Sequence, residues 1–212
     1  MMRALHTVSP LRIDSADFSK KLGMYSRNSE HTEQFLARGV EDYHIDGYVP
    51  PANYRLVKSL YENQYRIVTT DNGKPYTAYA VKLVHHREIT YPHPAVTQVM
   101  VWRTPSSRHY SAIQGFAKLF FRHLLDTTNI VVSDSEQTGD GQRFWLDMLD
   151  WAYNSGYSLY VADGTEGEDW PKFPITSLDE LENRWLEYAW GKDRDVHIHR
   201  RLVISKKPLE VA

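Results

Sequence analysis

The chain has 212 residues, 42% of them hydrophobic and 25% charged, the balance of an ordinary folded domain and not of a disordered segment. Its formal net charge is -2 and its pI is near 6.5, so it has no global basic field of the kind that drives non-specific binding to phosphate backbones. It contains no cysteine, which excludes disulfides, cysteine-ligated zinc, iron–sulfur clusters and thiol nucleophiles together.

The first part, residues 1–63, reads as a mostly helical segment that packs on or extends the core. No apolar run opens it, because Asp14, Asp17, Lys20 and Lys21 interrupt any candidate. Nowhere does the chain approach the run of about 18 apolar residues that a membrane span needs. No signal peptide, no membrane association and a cytoplasmic location are therefore expected. Two short helices are expected over 14–24 and 29–38, with Ser29 as an N-cap and Gly39 as a C-cap. Pro50 and Pro51 break the pattern, and a further short helix is expected over 53–61.

From residue 64 the texture changes to clear strand and helix signals. Tyr65 to Thr70 reads as a strand, Asp71-Asn72-Gly73-Lys74 as a hairpin turn, and Tyr76 to His85 as the returning strand. Ala95 to Arg103 is a third strand, which completes an antiparallel meander. Ser111 to Leu125 reads as one amphipathic helix, with Ile113, Phe116, Ala117, Phe120 and Leu124 at helical spacing. Ile130-Val131-Val132 is a short strand buried on both faces. A helix over 141–155 follows and Gly156 ends it. Leu159 to Ala162 is another buried strand, and 164–174 a loop. Ser177 caps a last helix to Trp190, and 197–205 is the final strand. The fold class is α/β: a mixed sheet, meander first and then β-α-β-α-β, with flanking helices.

This order over residues 64–205 resembles the GNAT superfamily of N-acyltransferases, and residues 64–212 are expected to form a GNAT-like core. The run Ser133-Asp134-x-x-Gln137-Thr138-x-x-Gly141-x-x-x-Trp145 is similar to runs in divergent, phage-type members, which would place the protein in a host cytoplasm. The resemblance implies an acyltransferase that moves an acyl group from acetyl-CoA or another acyl-CoA to an amine on a small molecule or protein. It also implies that the strand ending at Arg103 splays from its parallel neighbour, and that the acyl group lies in the gap. Cofactor pyrophosphate would then sit on backbone N–H groups at the following helix N-terminus. Trp102, Arg103, Ser106, Ser107 and Arg108 are the residues that stretch offers. The usual Q/R-x-x-G-x-G/A signature is not found there; Gly115, the nearest glycine, falls inside the expected helix.

Ser133 and Asp134 follow a buried strand directly, at the sheet edge where α/β proteins bind ligands. Asp134 is the candidate base for the amine, and the same pair also suits an N-cap. His109, beside a helix start, is a candidate neutral base. Tyr153 and Tyr157 lie in the region where the resemblance implies a tyrosine that returns a proton to sulfur. His85-His86 and His197-x-His199 invite a metal reading, but only the second pair shares a strand face, and no metal site is expected. The basic pairs Lys20-Lys21, Arg200-Arg201 and Lys206-Lys207 read as solvated surface.

Two readings from other classes stand beside the enzyme. One is a catalytically inactive binding or inhibitor protein on the same fold. The other is a nucleic-acid-modifying enzyme using Trp170, Trp185, Tyr188 and Trp190 as a stacking platform, which the acidic pI disfavours. The sequence specifies no oligomeric state, and a homodimer is compatible with it.

Overall fold

Asn72 and Gly73 take φ of 48° and 75°, the left-handed pair that a two-residue hairpin turn demands. They join β3 (Gln64–Asp71) to β4 (Lys74–His86), with Asp71 opposite Lys74. Around this hairpin the computed structural model, which describes residues 16–86, 89–132, 139–167, 169–191 and 199–211, builds a nine-stranded, mostly antiparallel mixed sheet. β1 (Val40–Asp42) and β2 (Tyr54–Ser59) extend the meander on one side and β5 (Ala95–Arg103) on the other. β5 pairs in parallel with β6 (Asn129–Val132). β9 (Arg200–Ser205) is threaded antiparallel between β6 and β7 (Ser158–Asp163), and β8 (Lys172–Ile175) forms the far edge. β5, β6 and β7 therefore run in one direction and end at the same edge of the sheet.

Helices α1 (Ala16–Leu22) and α2 (Tyr25–Ala37) lie on one face. The other face carries α3 (Tyr110–Ile113), α4 (Phe116–Leu125) and α5 (Gly139–Asn154). It also carries α6 (Leu178–Glu180) and α7 (Leu186–Trp190), joined by a wide helical turn over Leu181–Trp185. Ser177 caps α6 by accepting from the Glu180 N–H at 3.0 Å, and the Glu180 carboxylate accepts from the Thr176 N–H at 2.8 Å, a reciprocal cap. The main core lies under α4 and α5, where Phe116, Phe120, Phe121 and Leu149 meet Ile67, Ile130, Val132 and Leu202. Among the described residues no helix is long and apolar enough to cross a membrane.

Four expectations are corrected. The helix expected to start at Ser29 begins at Tyr25 with Met24 as its N-cap, and Ser29 lies buried inside it. Residues 54–59 form strand β2 and not a helix: Leu56 faces the main core and Val57 the α2 side, and burial on opposite faces one residue apart is what a strand provides. Residues 172–175, expected in a loop, pair with β7 as an edge strand, where Pro174 is tolerated. The helix expected over 111–125 is broken. Gln114 is extended and Gly115 takes φ 72°, so α4 restarts at Phe116 with its ring turned into the core.

α2 is fastened to the sheet by polar groups. A bulge makes Ala78 an extra residue in β4, since Ile67 pairs with Tyr79 but Val68 with Thr77. Thr77 faces α2, where fully buried Asn28 accepts from its N–H at 2.7 Å and donates to its carbonyl at 2.9 Å. The Asn28 amide also donates to the Leu22 carbonyl, and its oxygen accepts from Thr32. Beside it, Arg66 is buried against the Phe35 ring at 4.0 Å and donates to Thr77 Oγ1. Desolvation lowers its pKa to about 10, so it stays charged at neutral pH. Replacing Asn28 by Ala orphans a buried N–H and two carbonyls. Urea denaturation of Asn28→Ala is expected to show a loss of about 2–3 kcal/mol, against a few tenths for the exposed Asn183→Ala.

Candidate functional site

The ladder between β5 and β6 holds two pairs, Ala95 with Asn129 and Val96 with Ile130. Just beyond it β5 carries an extra residue: His85 pairs with Val96 but Val84 with Gln98, so Thr97 is bulged. A bulge bends and twists its strand. Past it, β5 follows β4 while β6 follows β9. Among the described residues the β5–β6 ladder has no pair beyond Val96 with Ile130, although β5 runs on to Arg103 and β6 to Val132, and there the sheet is split. Along that stretch the β6-facing backbone of β5 makes no ladder bond among the described residues. Backbone N–H and C=O groups lining a split are an obligatory demand for partners.

Helix α4 starts above this split. Tyr79, opposite Arg103 in the ladder, packs its ring edge-on against Phe116, the first residue of α4, at 5.0 Å. Arg103 leaves the sheet on that same face and is exposed. The first N–H groups of α4 have no partner within the helix and give its start a partial positive charge. Gly115 is exposed, and a side-chain carbon there would meet nothing within 4 Å. Lys118, also exposed, is in the first turn. The arrangement suits an anion with an extended, hydrogen-bonding tail.

The turn that joins β5 to this helix is tied to the hairpin end of the meander. Thr104 N–H donates to the Ala78 carbonyl and Thr104 Oγ1 lies 2.8 Å from the Tyr76 hydroxyl. Ser106 N–H donates to Thr104 Oγ1, and the Ser106 carbonyl accepts from the His109 N–H. His109 is 4% exposed. Its ring stacks on Tyr76 at 4.8 Å, and its Nδ1 lies 2.9 Å from the Tyr54 hydroxyl. Burial pulls its pKa down; Asp71 opposes this and Arg108 adds to it. Arg108 reaches Asp71 at 3.5 Å, and Tyr25 stacks on Tyr76 and donates to the Asp71 carbonyl.

At the end of β7, Asp163 accepts from the Tyr188 hydroxyl and from the N–H and hydroxyl of Thr165. Arg200, entering β9, lies 3.7 Å from the carboxylate and 3.6 Å above the Tyr188 ring. Burial disfavours the carboxylate, but Tyr188, Thr165 and Arg200 outweigh it and hold its pKa below the ordinary range. The Arg200-Arg201 pair is thus not solvated surface: Arg201 is buried and Arg200 nearly so.

Among the residues expected from the sequence, Arg103, Ser106, Ser107, Arg108 and His109 occupy one strand-to-helix turn at the mouth of the split. Trp102, on the opposite face of β5 from Arg103, is buried against Ala80 and Leu22 of α1. Tyr153 lies at the other end of the sheet, near the start of β7, and donates to the Thr176 carbonyl at 2.7 Å. Ser133 and Asp134 lie outside the described residues, as does His197. Trp185 is buried against Phe173, and Trp170 rests on Gly164.

No family model, curated protein or solved structure matches the chain.

The site therefore rests on its geometry. Sequence reasoning missed Asp163, although the rule that singled out Asp134, a carboxylate just past a buried strand, applies to it equally. It missed Tyr54 because a helix was expected there.

The Asp163 cluster gives a pH prediction. A carboxylate whose pKa is lower folded than unfolded contributes stability above its unfolded pKa of about 4, and that contribution is lost as pH falls through the folded value. Asp163→Asn is expected to lower the melting temperature at pH 7. The gap to the wild-type protein should narrow steadily below about pH 4, as read by calorimetry across the pH range.

Proposed function

We propose that the split between β5 and β6 binds an acyl-CoA, and that the protein is a GNAT-like N-acyltransferase. The observation that carries this reading is the parallel β5–β6 ladder, which holds two pairs among the described residues, beneath a helix N-terminus. Supporting it is the strand order, with the last strand inserted between the two that precede and follow α5. Gly115-x-Ala117 at the start of α4 also fits the G-x-G/A half of the phosphate-loop signature, with Ala112 where that signature has Gln or Arg.

The residues fit the group. The α4 N–H groups, Arg103 and Lys118 supply positive potential for a pyrophosphate. The open β6-facing edge of β5 supplies main-chain partners for an amide-bearing arm. Bound there, acyl-CoA would supply an activated thioester. The chain's part is to hold that carbonyl against backbone N–H groups of β5 and to take a proton from the incoming amine. Asp134, directly after β6, is the sequence-derived candidate for that proton. Asp163, held ionised by Tyr188, Thr165 and Arg200, is a poor base and its charge is already matched by Arg200, so it takes no part in this scheme. Tyr153, at the opposite end of the sheet, is dropped from this scheme.

Titration calorimetry with acetyl-CoA is the test. The wild-type protein is expected to bind in the micromolar range. Arg103→Ala and Gly115→Glu are each expected to weaken binding at least tenfold, the second by placing a carboxylate where phosphate would sit. The Gly115 variant also adds about 1–2 kcal/mol of left-handed strain, so its melting temperature is measured alongside. No binding by the wild-type protein up to millimolar acetyl-CoA would overturn the reading.

A further inference from the structure

The turn between β5 and α4 is held in part by a buried histidine ring. Thr104 fixes its start by a main-chain bond to Ala78. The 3₁₀ turn over Ser107–His109 and the short α3 complete it. Within it Ser107, Arg108 and Tyr110 are exposed, whereas the His109 ring is inserted into the end of the sheet.

The slot that receives the ring comes from three strands. Tyr76 of β4 lies flat against it, and Tyr54 of β2 approaches edge-on with its hydroxyl at Nδ1. Asp71, at the end of β3, is the one carboxylate facing it among the described groups that act on its charge, and Arg108 of its own turn is the opposing cation. Tyr25 of α2 closes the far side of Tyr76. A neutral imidazole suits this slot, because Tyr54 and Nδ1 share one hydrogen bond and the ring face needs no water. An imidazolium in the same slot loses its hydration, needs Tyr54 as an acceptor, and sits beside Arg108.

We propose that His109 is a pH-operated latch: neutral, it pins the 104–115 turn and with it the start of α4, and protonation frees both. The consequence for ligand affinity rests on the acyl-CoA reading; the motion of the turn does not. The sign follows from burial. Burial lowers the pKa of His109 in the pinned state, so the pinned state is fully favoured above the free-histidine pKa of about 6.5 and loses ground as pH falls below it. Asp71 opposes release and Arg108 favours it. His109 is a positioning residue, since it acts on the site through the turn.

The experiment is hydrogen–deuterium exchange by mass spectrometry at pH 7.5 and 5.5, with labelling times scaled for the intrinsic pH dependence of exchange. Peptides spanning 104–119 in the wild-type protein are expected to lose protection several-fold at the lower pH, up to the roughly tenfold that one proton with a free pKa of about 6.5 can supply, while peptides from β3 and β7 do not. His109→Phe keeps a ring for the slot, and His109→Gln keeps a polar group for Tyr54; neither titrates, and in whichever folds the 104–119 peptides are expected to ignore pH. Unchanged wild-type protection, or an equal change in the variants, overturns the latch. Acetyl-CoA affinity measured at both pH values keeps the two ideas apart. Weaker binding at pH 5.5 in the wild-type protein alone supports both. Absence of binding at either pH overturns the acyl-CoA reading, and the latch then stands or falls by the exchange data.

Discussion

A sheet interior ordinarily satisfies its main-chain donors and acceptors strand to strand, and in the middle of this one β5 and β6 share only two pairs among the described residues. Among the described residues the parallel pairing ends at a bulge: Thr97 adds one residue to β5 just after the second pair, and a bulge bends and twists its strand. Everything that gives the protein a site depends on that departure. The meander, β1 to β5, and the second half, β6 to β8 with β9, are each hydrogen-bonded within themselves. They are held together at one end by the two pairs and across one face by the core beneath α4 and α5. At the opposite end lie Arg103, which ends β5, and the start of α4.

The two faces of the sheet are fastened by different physics. Under α4 the contact is aromatic and aliphatic, with Phe116, Phe120 and Phe121 all fully buried, and burial of that kind is tolerant of direction. Under α2 it is directional: Asn28, Thr32, Thr77 and Arg66 form one buried polar network. Such networks fix register, because a one-residue slip would orphan several groups together. That network holds β4 on its α2 side, the strand against which β5 bends.

Much of this architecture was legible. The Asn72-Gly73 hairpin, the strand ending at Arg103, the buried strands around Val131 and Val161, and the Ser177 cap all follow from local chemistry that the tertiary structure does not override. Other elements were hidden where periodicity is ambiguous. Arg55-Leu56-Val57-Lys58 is too short to separate helix from strand, and neighbours on both sides decide it. Gly115 looked like a helix interior because apolar spacing continues through it, and the left-handed turn that resets the helix leaves that spacing nearly intact. Arg200 looked like surface because charge alone does not reveal that an aromatic ring and a carboxylate are waiting for it. Of the site, the Arg103 to His109 turn was visible as a polar stretch after a strand. Its attachment to Tyr54 and Tyr76 was not, since it joins residues distant in the chain.

The place of β9 has a consequence for biosynthesis. β6 and β7 run in the same direction but never touch through hydrogen bonds; the strand that bridges them is translated after both, beyond β8 and α7. While the ribosome is still upstream of Arg200, the meander already has its full complement of partners, but β6 and β7 each present a bare edge. Bare edges invite pairing with other chains. The nascent chain is thus most exposed to misassembly in its second half, late in its own synthesis. The same delay means that the wall of the split formed by β6 takes its final position only when that last strand arrives.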